Sequence, residues 1–226
     1  MGLLDAIRGR TKPVRANLDA LFALPAAAVT LQVTAGLVTT GHAGVCFKPP
    51  AGQPFAQMQA DLEQLLRSDT SGAPDGTASV RDTSDKYGYR WILVEAANID
   101  DLVTRAHMVH SSLEDAGWST QLLCSVFGFR PMTPEETAAA SASGDAAAGA
   151  LAAGAPAAGD SGTDAVTRPI FLVYLAKQGT FYPFAPVGPE QRDNELELRI
   201  RGMLGDDLPV ETDLARWFPL WDLPIG

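Results

Sequence analysis

From residue 133 to residue 167 the chain is built almost wholly of Ala, Gly, Ser, Asp, Thr and Pro, with large apolar side chains nearly absent. Such a stretch cannot bury enough apolar surface to offset the entropy of ordering it. Its alanine runs favour transient helix, but Gly144, Gly149, Gly154 and Pro156 interrupt each one. Disorder is the expectation here, and what comes after it restricts the fold. Residues 170–175 and 180–184 read as a hairpin and 189–203 as a helix, too little material for a separate core. They must join the elements before the gap, which predicts a single α+β domain over 1–226 with a disordered Ala/Gly-rich insertion at about 133–167.

Ahead of the insertion, Pro13 suits the first position of a helix, where its missing N–H is not needed. Val14, Leu18, Leu21 and Phe22 follow at helical spacing, and Pro25 is expected to end the element. Val29, Leu31 and Val33 then alternate with Thr30, Gln32 and Thr34 at the period of a strand. Leu37, Val38, Gly41 and Gly44 form an irregular connection to a second short strand, Val45-Cys46-Phe47, stopped by Pro49-Pro50 and expected to pair antiparallel with the first. Phe55, Met58, Leu62, Leu65 and Leu66 mark an amphipathic helix after Pro54, and 68–76 reads as a polar loop. Residues 79–85 and 89–96 form a hairpin turning near Lys86-Tyr87-Gly88.

Asn98 is placed to cap a helix with Asp100 and Asp101 in its first turn, where the dipole favours carboxylates. Ile99, Leu102, Val103, Ala106, Val109 and Leu113 make its core stripe, Gly117 ends it, and an apolar strand covers 120–129. In 189–203 the run from Glu195 to Arg201 alternates as a strand would, yet Leu196, Ile200 and Met203 between Pro189 and Gly205 fit a helix better. The predicted order is α-β-β-α-β-β-α-β, then β-β-α, an antiparallel sheet built from hairpins alternating with helices.

Charge narrows the partners. The 226 residues carry a formal net charge of −10, which disfavours nucleic acid as a partner because phosphate affinity rests on Lys and Arg. Cys46 and Cys124 lie in separate apolar runs without Cys-x-x-Cys or Cys/His ligand spacing, so they read as buried reduced thiols. Asp5 and Arg8 interrupt the apolar residues Leu3, Leu4, Ala6 and Ile7, leaving no secretory h-region. No apolar run reaches the roughly 20 residues of a membrane helix. A cytoplasmic protein is expected.

Catalytic patterns are missing from the sequence. His107 and His110 are three apart on one predicted helix, but point to its flank and its core edge respectively and have no Glu or Cys at ligand spacing. Glu135-Glu136 and Asp206-Asp207 are sequence neighbours that do not face one another, as acid/base pairs must. Ser125 lacks a Gly-x-Ser-x-Gly elbow, and neither a dinucleotide fingerprint nor a phosphate loop follows any strand. No catalytic residue, metal or cofactor is predicted.

The two ends of the chain carry the binding expectations. Arg8, Arg10 and Lys12, with Leu3, Leu4 and Ile7, could form a short amphipathic foot on an anionic surface or a protein, or a frayed basic terminus. The myristoylation pattern is broken by Ala6, where Ser or Thr is required. At the other end Trp217, Phe218, Leu220 and Trp221 supply either a tail packed over the protein's own sheet or a partner surface.

The segments Met1-Gly-Leu-Leu-Asp-Ala-Ile7, Gly9-Arg-Thr-Lys-Pro13, Leu18-Asp-Ala-Leu-Phe-Ala-Leu-Pro25, Val45-Cys-Phe-Lys-Pro49, Tyr182-Pro-Phe-Ala-Pro186 and Trp217-Phe-Pro-Leu-Trp221 together resemble PspAB, the actinobacterial family of PspA-associated proteins. The likeness spans most of the chain outside the Ala/Gly-rich insertion. It implies a cytoplasmic accessory of a phage-shock-type envelope stress system, acting near PspA, a membrane-binding ESCRT-III-like helical protein, and it supplies no catalytic or ligand residues. The element order also resembles the secretion-chaperone or YbjN type of α+β fold, a likeness of topology.

The leading expectation is a non-enzymatic adaptor that binds PspA or an associated protein through the amino-terminal segment or an exposed sheet face, with weak contact to an anionic membrane surface. Leu3, Leu4, Ile7, Arg8, Arg10, Lys12, Trp217, Phe218 and Trp221 are the candidate contacts. The alternative is a small-molecule sensor with a pocket between helix and sheet near Trp91, Trp118 and Tyr174. An enzyme would need a cleft joining His107, His110 or Tyr182 to carboxylates.

Overall fold

A computed structural model describes residues 18–48, 60, 64, 81–148 and 166–225. A 3₁₀ turn, Leu18–Ala23, runs into helix α1, Leu24–Ala35, and then strand β1, Leu37–Phe47. Strands β2 (Arg81–Ser84) and β3 (Arg90–Glu95), helix α2 (Ile99–Asp115), strand β4 (Leu122–Pro131) and helix α3 (Pro134–Ala148) follow. Next come β5 (Ile170–Leu175), β6 (Thr180–Phe184), the short strands β7 (Pro186–Gly188) and β8 (Gln191–Arg192), helix α4 (Asn194–Leu204) and a last 3₁₀ turn, Leu214–Arg216. The fold is α+β. The strand order is β2-β3-β1-β4-β5-β6, every neighbouring pair antiparallel, with β7 and β8 as a separate small hairpin. Pairing of β4 with β5 joins the strands on either side of the insertion in one sheet.

The expected strand at 29–34 is instead part of α1. Pro25 sits in the first turn, where it starts this helix rather than ending the previous one. The positions that decide the period are Leu24, Ala27, Leu31 and Ala35, all buried along one face, while Val29 and Val33 point outward. Two of those inward positions are alanines, so the β-branched alternation dominated the sequence signal. Gly36, at φ 63°, closes the helix in the left-handed conformation.

Nor is Val45-Cys46-Phe47 a separate strand. Residues 37–47 form one central strand whose register against β4 slips between Thr39 and Ala43, with Gly41 at φ 78° in the irregularity. The hairpins at 81–95 and 170–184, the long helix behind Asn98 and the helical state of 194–204 match the expectations. The last begins at Asp193, whose side chain accepts from the Leu196 N–H, and not at Pro189. Of the amphipathic segment at 55–66 only Ala60 and Gln64 are described, both helical; the rest, the loop at 68–76 and the residues before Leu18 lie outside the described residues.

Part of the stretch expected to be disordered is helix α3. Thr133 and Glu136 explain it as a capping box: the Glu136 N–H donates to Thr133 Oγ1 at 3.2 Å and the Thr133 N–H to Glu136 Oε2 at 2.7 Å. Arg130 adds a two-pronged contact to the same carboxylate, 2.8 Å on each oxygen. Residues 149–165 lie outside the described residues.

Side chains alternate across the sheet into two cores. On one face Val45, Phe47, Ile92, Phe127, Phe129, Leu172 and Phe181 pack beneath α1, α2 and α4. On the other, Cys46, Trp91, Cys124, Val126, Val173, Tyr182 and Phe184 meet the carboxy-terminal segment through Trp217, Leu220, Trp221, Leu223 and Ile225. That segment first closes the β6 edge: the Phe181 N–H donates to Pro209 O at 2.8 Å and the Glu211 N–H to Phe181 O at 2.7 Å. Trp217 then stacks on Tyr182, ring centroids 5.8 Å apart.

Contrary to the sequence expectation, Leu18–Ala35 has the length and composition to cross a bilayer, with mean hydropathy 1.5. Its inward residues are packed against the sheet and its neighbouring helices. Its outward side is apolar as well: Phe22 is 52 %, Val29 60 % and Val33 80 % exposed.

Candidate functional site

Beneath the carboxy-terminal segment lies a cavity of about 500 Å³. Each of five adjacent strand ends contributes to it: Trp91 from β3, Cys46 from β1, Cys124 from β4, Leu175 from β5 and Tyr182 from β6. Residues 218–221 form its roof, and the β2–β3 and β5–β6 turns close its two ends with Asp85 and Lys177. Tyr182 holds the roof, its hydroxyl donating to Phe218 O at 2.7 Å. Arg192 fixes the preceding residue by donating from Nη1 to Trp217 O at 2.7 Å.

The floor is uncharged. Cys46 and Cys124 stand opposite one another in the β1–β4 register, both buried and free. The hydrogen bond between the thiols, together with burial, pushes Cys46 above its ordinary pKa, so it stays protonated. Burial does the same for the Tyr182 hydroxyl. Asp85 stands at one end, its carboxylate occupied by the turn: it accepts from the N–H groups of Tyr87 and Tyr89, each at 2.9 Å, and from Trp91 Nε1 at 3.1 Å.

The second site-like feature is the outer side of α1 and of the 3₁₀ turn that leads into it. Phe22, Ala26, Val29 and Val33 are all exposed and recur at i, i+4, i+7 and i+11, the spacing of an a/d seam between two helices. Such a stripe offers a second helix apolar knobs in successive turns.

The sequence-derived candidates scatter. Leu3, Leu4, Ile7, Arg8, Arg10 and Lys12 lie outside the described residues. Trp217 is buried against Tyr182, with its Nε1 donating to Glu211 O at 3.1 Å. Phe218 and Trp221 line the cavity, Phe218 with 56 % of its surface exposed and Trp221 edge-on to Phe184. The tail thus packs over the sheet, and both sheet faces are covered. Trp91 does line a pocket, but on the face away from the helices. Trp118 and Tyr174, expected beside it, are buried on the helix face against Phe47 and Phe181.

His107 and His110 do not converge. The His107 ring packs on Phe22, whereas His110 Nε2 lies 2.5 Å from Ser125 Oγ in the sealed helix-side core. Burial, with a smaller contribution from His107, lowers the His110 pKa to about 3. Tyr182 faces the other core, so the sheet separates it from both histidines. Glu136 is taken by Arg130, and Asp207 accepts from the Thr30 hydroxyl. Among the described residues no group of three or more His, Cys, Asp or Glu could hold a metal ion.

A family model described as PspAB, PspA associated protein B, matches residues 1–225. No curated protein and no solved structure matches the chain.

Proposed function

The chain belongs to the PspAB family, and on that premise we propose that it is an accessory of a PspA-type envelope stress system that works by binding and not by catalysis. Its partner is PspA or a protein associated with it, docked as a helix along Phe22, Ala26, Val29 and Val33. The exposed seam is the observation that carries this reading: side chains of this size left in water along one helix face gain most from a second apolar stripe. The seam follows the basic amino-terminal segment in sequence, so Arg8, Arg10 and Lys12 can add charge-led contact with an acidic partner or the anionic inner face of the membrane. On this reading the protein works in the cytoplasm, at the membrane periphery.

Binding of full-length protein to purified PspA and to anionic vesicles, compared with protein comprising residues 11–226, tests the assignment. Full-length protein is expected to bind PspA, and truncation to weaken the vesicle contact in a salt-sensitive manner. Failure of full-length protein to bind PspA overturns the partner, and unchanged binding of the truncated form to both targets removes the terminus from the mechanism.

A further inference from the structure

We propose that the cavity under the carboxy-terminal segment is a binding site for a medium-chain carboxylate, its acyl chain laid across the strand ends and its head group at Lys177. The inference stands apart from the partner reading, since neither the site nor its test involves the α1 seam.

Shape comes first. The cavity crosses from β3 to β6, four inter-strand spacings, or roughly 19 Å at the usual separation of strands. With about 500 Å³ of space it falls within the range of small-molecule sites. An elongated slot of that length suits an extended chain better than a compact ring system. Polarity comes next. The buried thiols of Cys46 and Cys124 and the rings of Trp91 and Trp221 offer an acyl chain an apolar contact.

Charge selects the head group and its direction. Of the lining residues, Asp85 and Lys177 are the charged ones. Asp85 already has three N–H donors on its carboxylate, which tie it to its own turn. Lys177, exposed at the opposite end beside Gln178, makes no ion pair among the described residues. An ammonium and an amide at the mouth of an apolar slot complement a carboxylate whose chain runs inward.

Titration of the full chain with dodecanoate, read by the fluorescence of Trp91 and Trp221, tests the site. Saturable binding is expected, with decanoate weaker by on the order of tenfold because two fewer methylenes are buried. Lys177→Glu, a change in an exposed turn, is expected to weaken dodecanoate about tenfold and leave uncharged dodecanol unaffected, the signature of one lost charge contact. Leu123→Trp, which fills the slot, abolishes binding of both ligands while far-ultraviolet circular dichroism reports a retained fold. Absence of saturable binding, or loss of the chain-length dependence, overturns the cavity as an acyl site. Dodecanol binding as tightly as dodecanoate, or indifference to Lys177→Glu, overturns the carboxylate.

Discussion

Glu197 is almost fully buried, and its carboxylate accepts from Arg192 Nε at 3.0 and 2.9 Å on its two oxygens and from the Ala185 N–H at 2.9 Å. One side chain thereby ties α4 to the end of β6, and through Arg192 to the roof of the cavity at Trp217. Removing one partner of such a pair leaves the other charged and poorly solvated. Glu197→Ala is expected to cost about 3–5 kcal/mol in urea unfolding and to loosen the tail, seen as faster amide exchange at 217–221. His110 sets the acid limb of stability. Its folded pKa of about 3 lies below the ordinary 6.5, so the unfolded state binds the extra proton between those values. Its neutral burial costs nothing above pH 6.5, and stability falls by up to about 1.4 kcal/mol per pH unit from there towards pH 3. Urea midpoints measured between pH 7 and 5.5, above the range where Glu136 and Glu211 protonate in the unfolded chain, are expected to show this slope in the wild type and a flatter one in His110→Leu.

At the scale of elements, the strongest constraint is the bend in β1. Gly41 has φ 78°, and a Cβ there would come within 2.6 Å of Ala96 O, the carbonyl of the residue whose N–H donates to Gly41 O at 2.9 Å. Gly41→Ala is expected to destabilise the fold by about 1–3 kcal/mol from backbone conformation alone, measurable as a lower urea midpoint, with the steric conflict adding to it. The sequence marks this glycine but reads it as a break, because nothing local shows that β3 and β4 hold the strand together on both sides. Local signals were enough elsewhere: the Asn98 cap accepts from the Asp101 N–H at 2.9 Å as its position predicts, and the turn at 85–89 lies where Lys86-Tyr87-Gly88 suggested. In α1 two periods were superimposed. Val29, Leu31 and Val33 alternate as a strand does, whereas the helical face is written partly in alanine, a weak hydrophobic mark. Composition alone also hid α3, although Thr133 and Glu136 spell its capping box.

Over the whole molecule, the sheet is covered on both faces by different means, helices on one and an extended tail on the other. The aromatic ending was legible as a tail that folds back, but its roofing of a cavity was not. That cavity is assembled from five strands and two turns, and the face-to-face meeting of Cys46 and Cys124 depends on a register no local pattern encodes. Trp217→Ala is expected to cost about 3–5 kcal/mol, read in thermal or urea unfolding, because it removes a buried indole between Tyr182 and the tail. The α1 seam behaves differently, since its side chains already face water and can be changed without opening either core. The most direct measurement is therefore the affinity of purified PspA for full-length wild type and for Val29→Asp/Val33→Asp, with unfolding midpoints measured in parallel. The account predicts unchanged stability and affinity at least about tenfold lower, the loss expected when two apolar contacts become unpaired charges at an interface core; wild-type affinity in the double variant would contradict it.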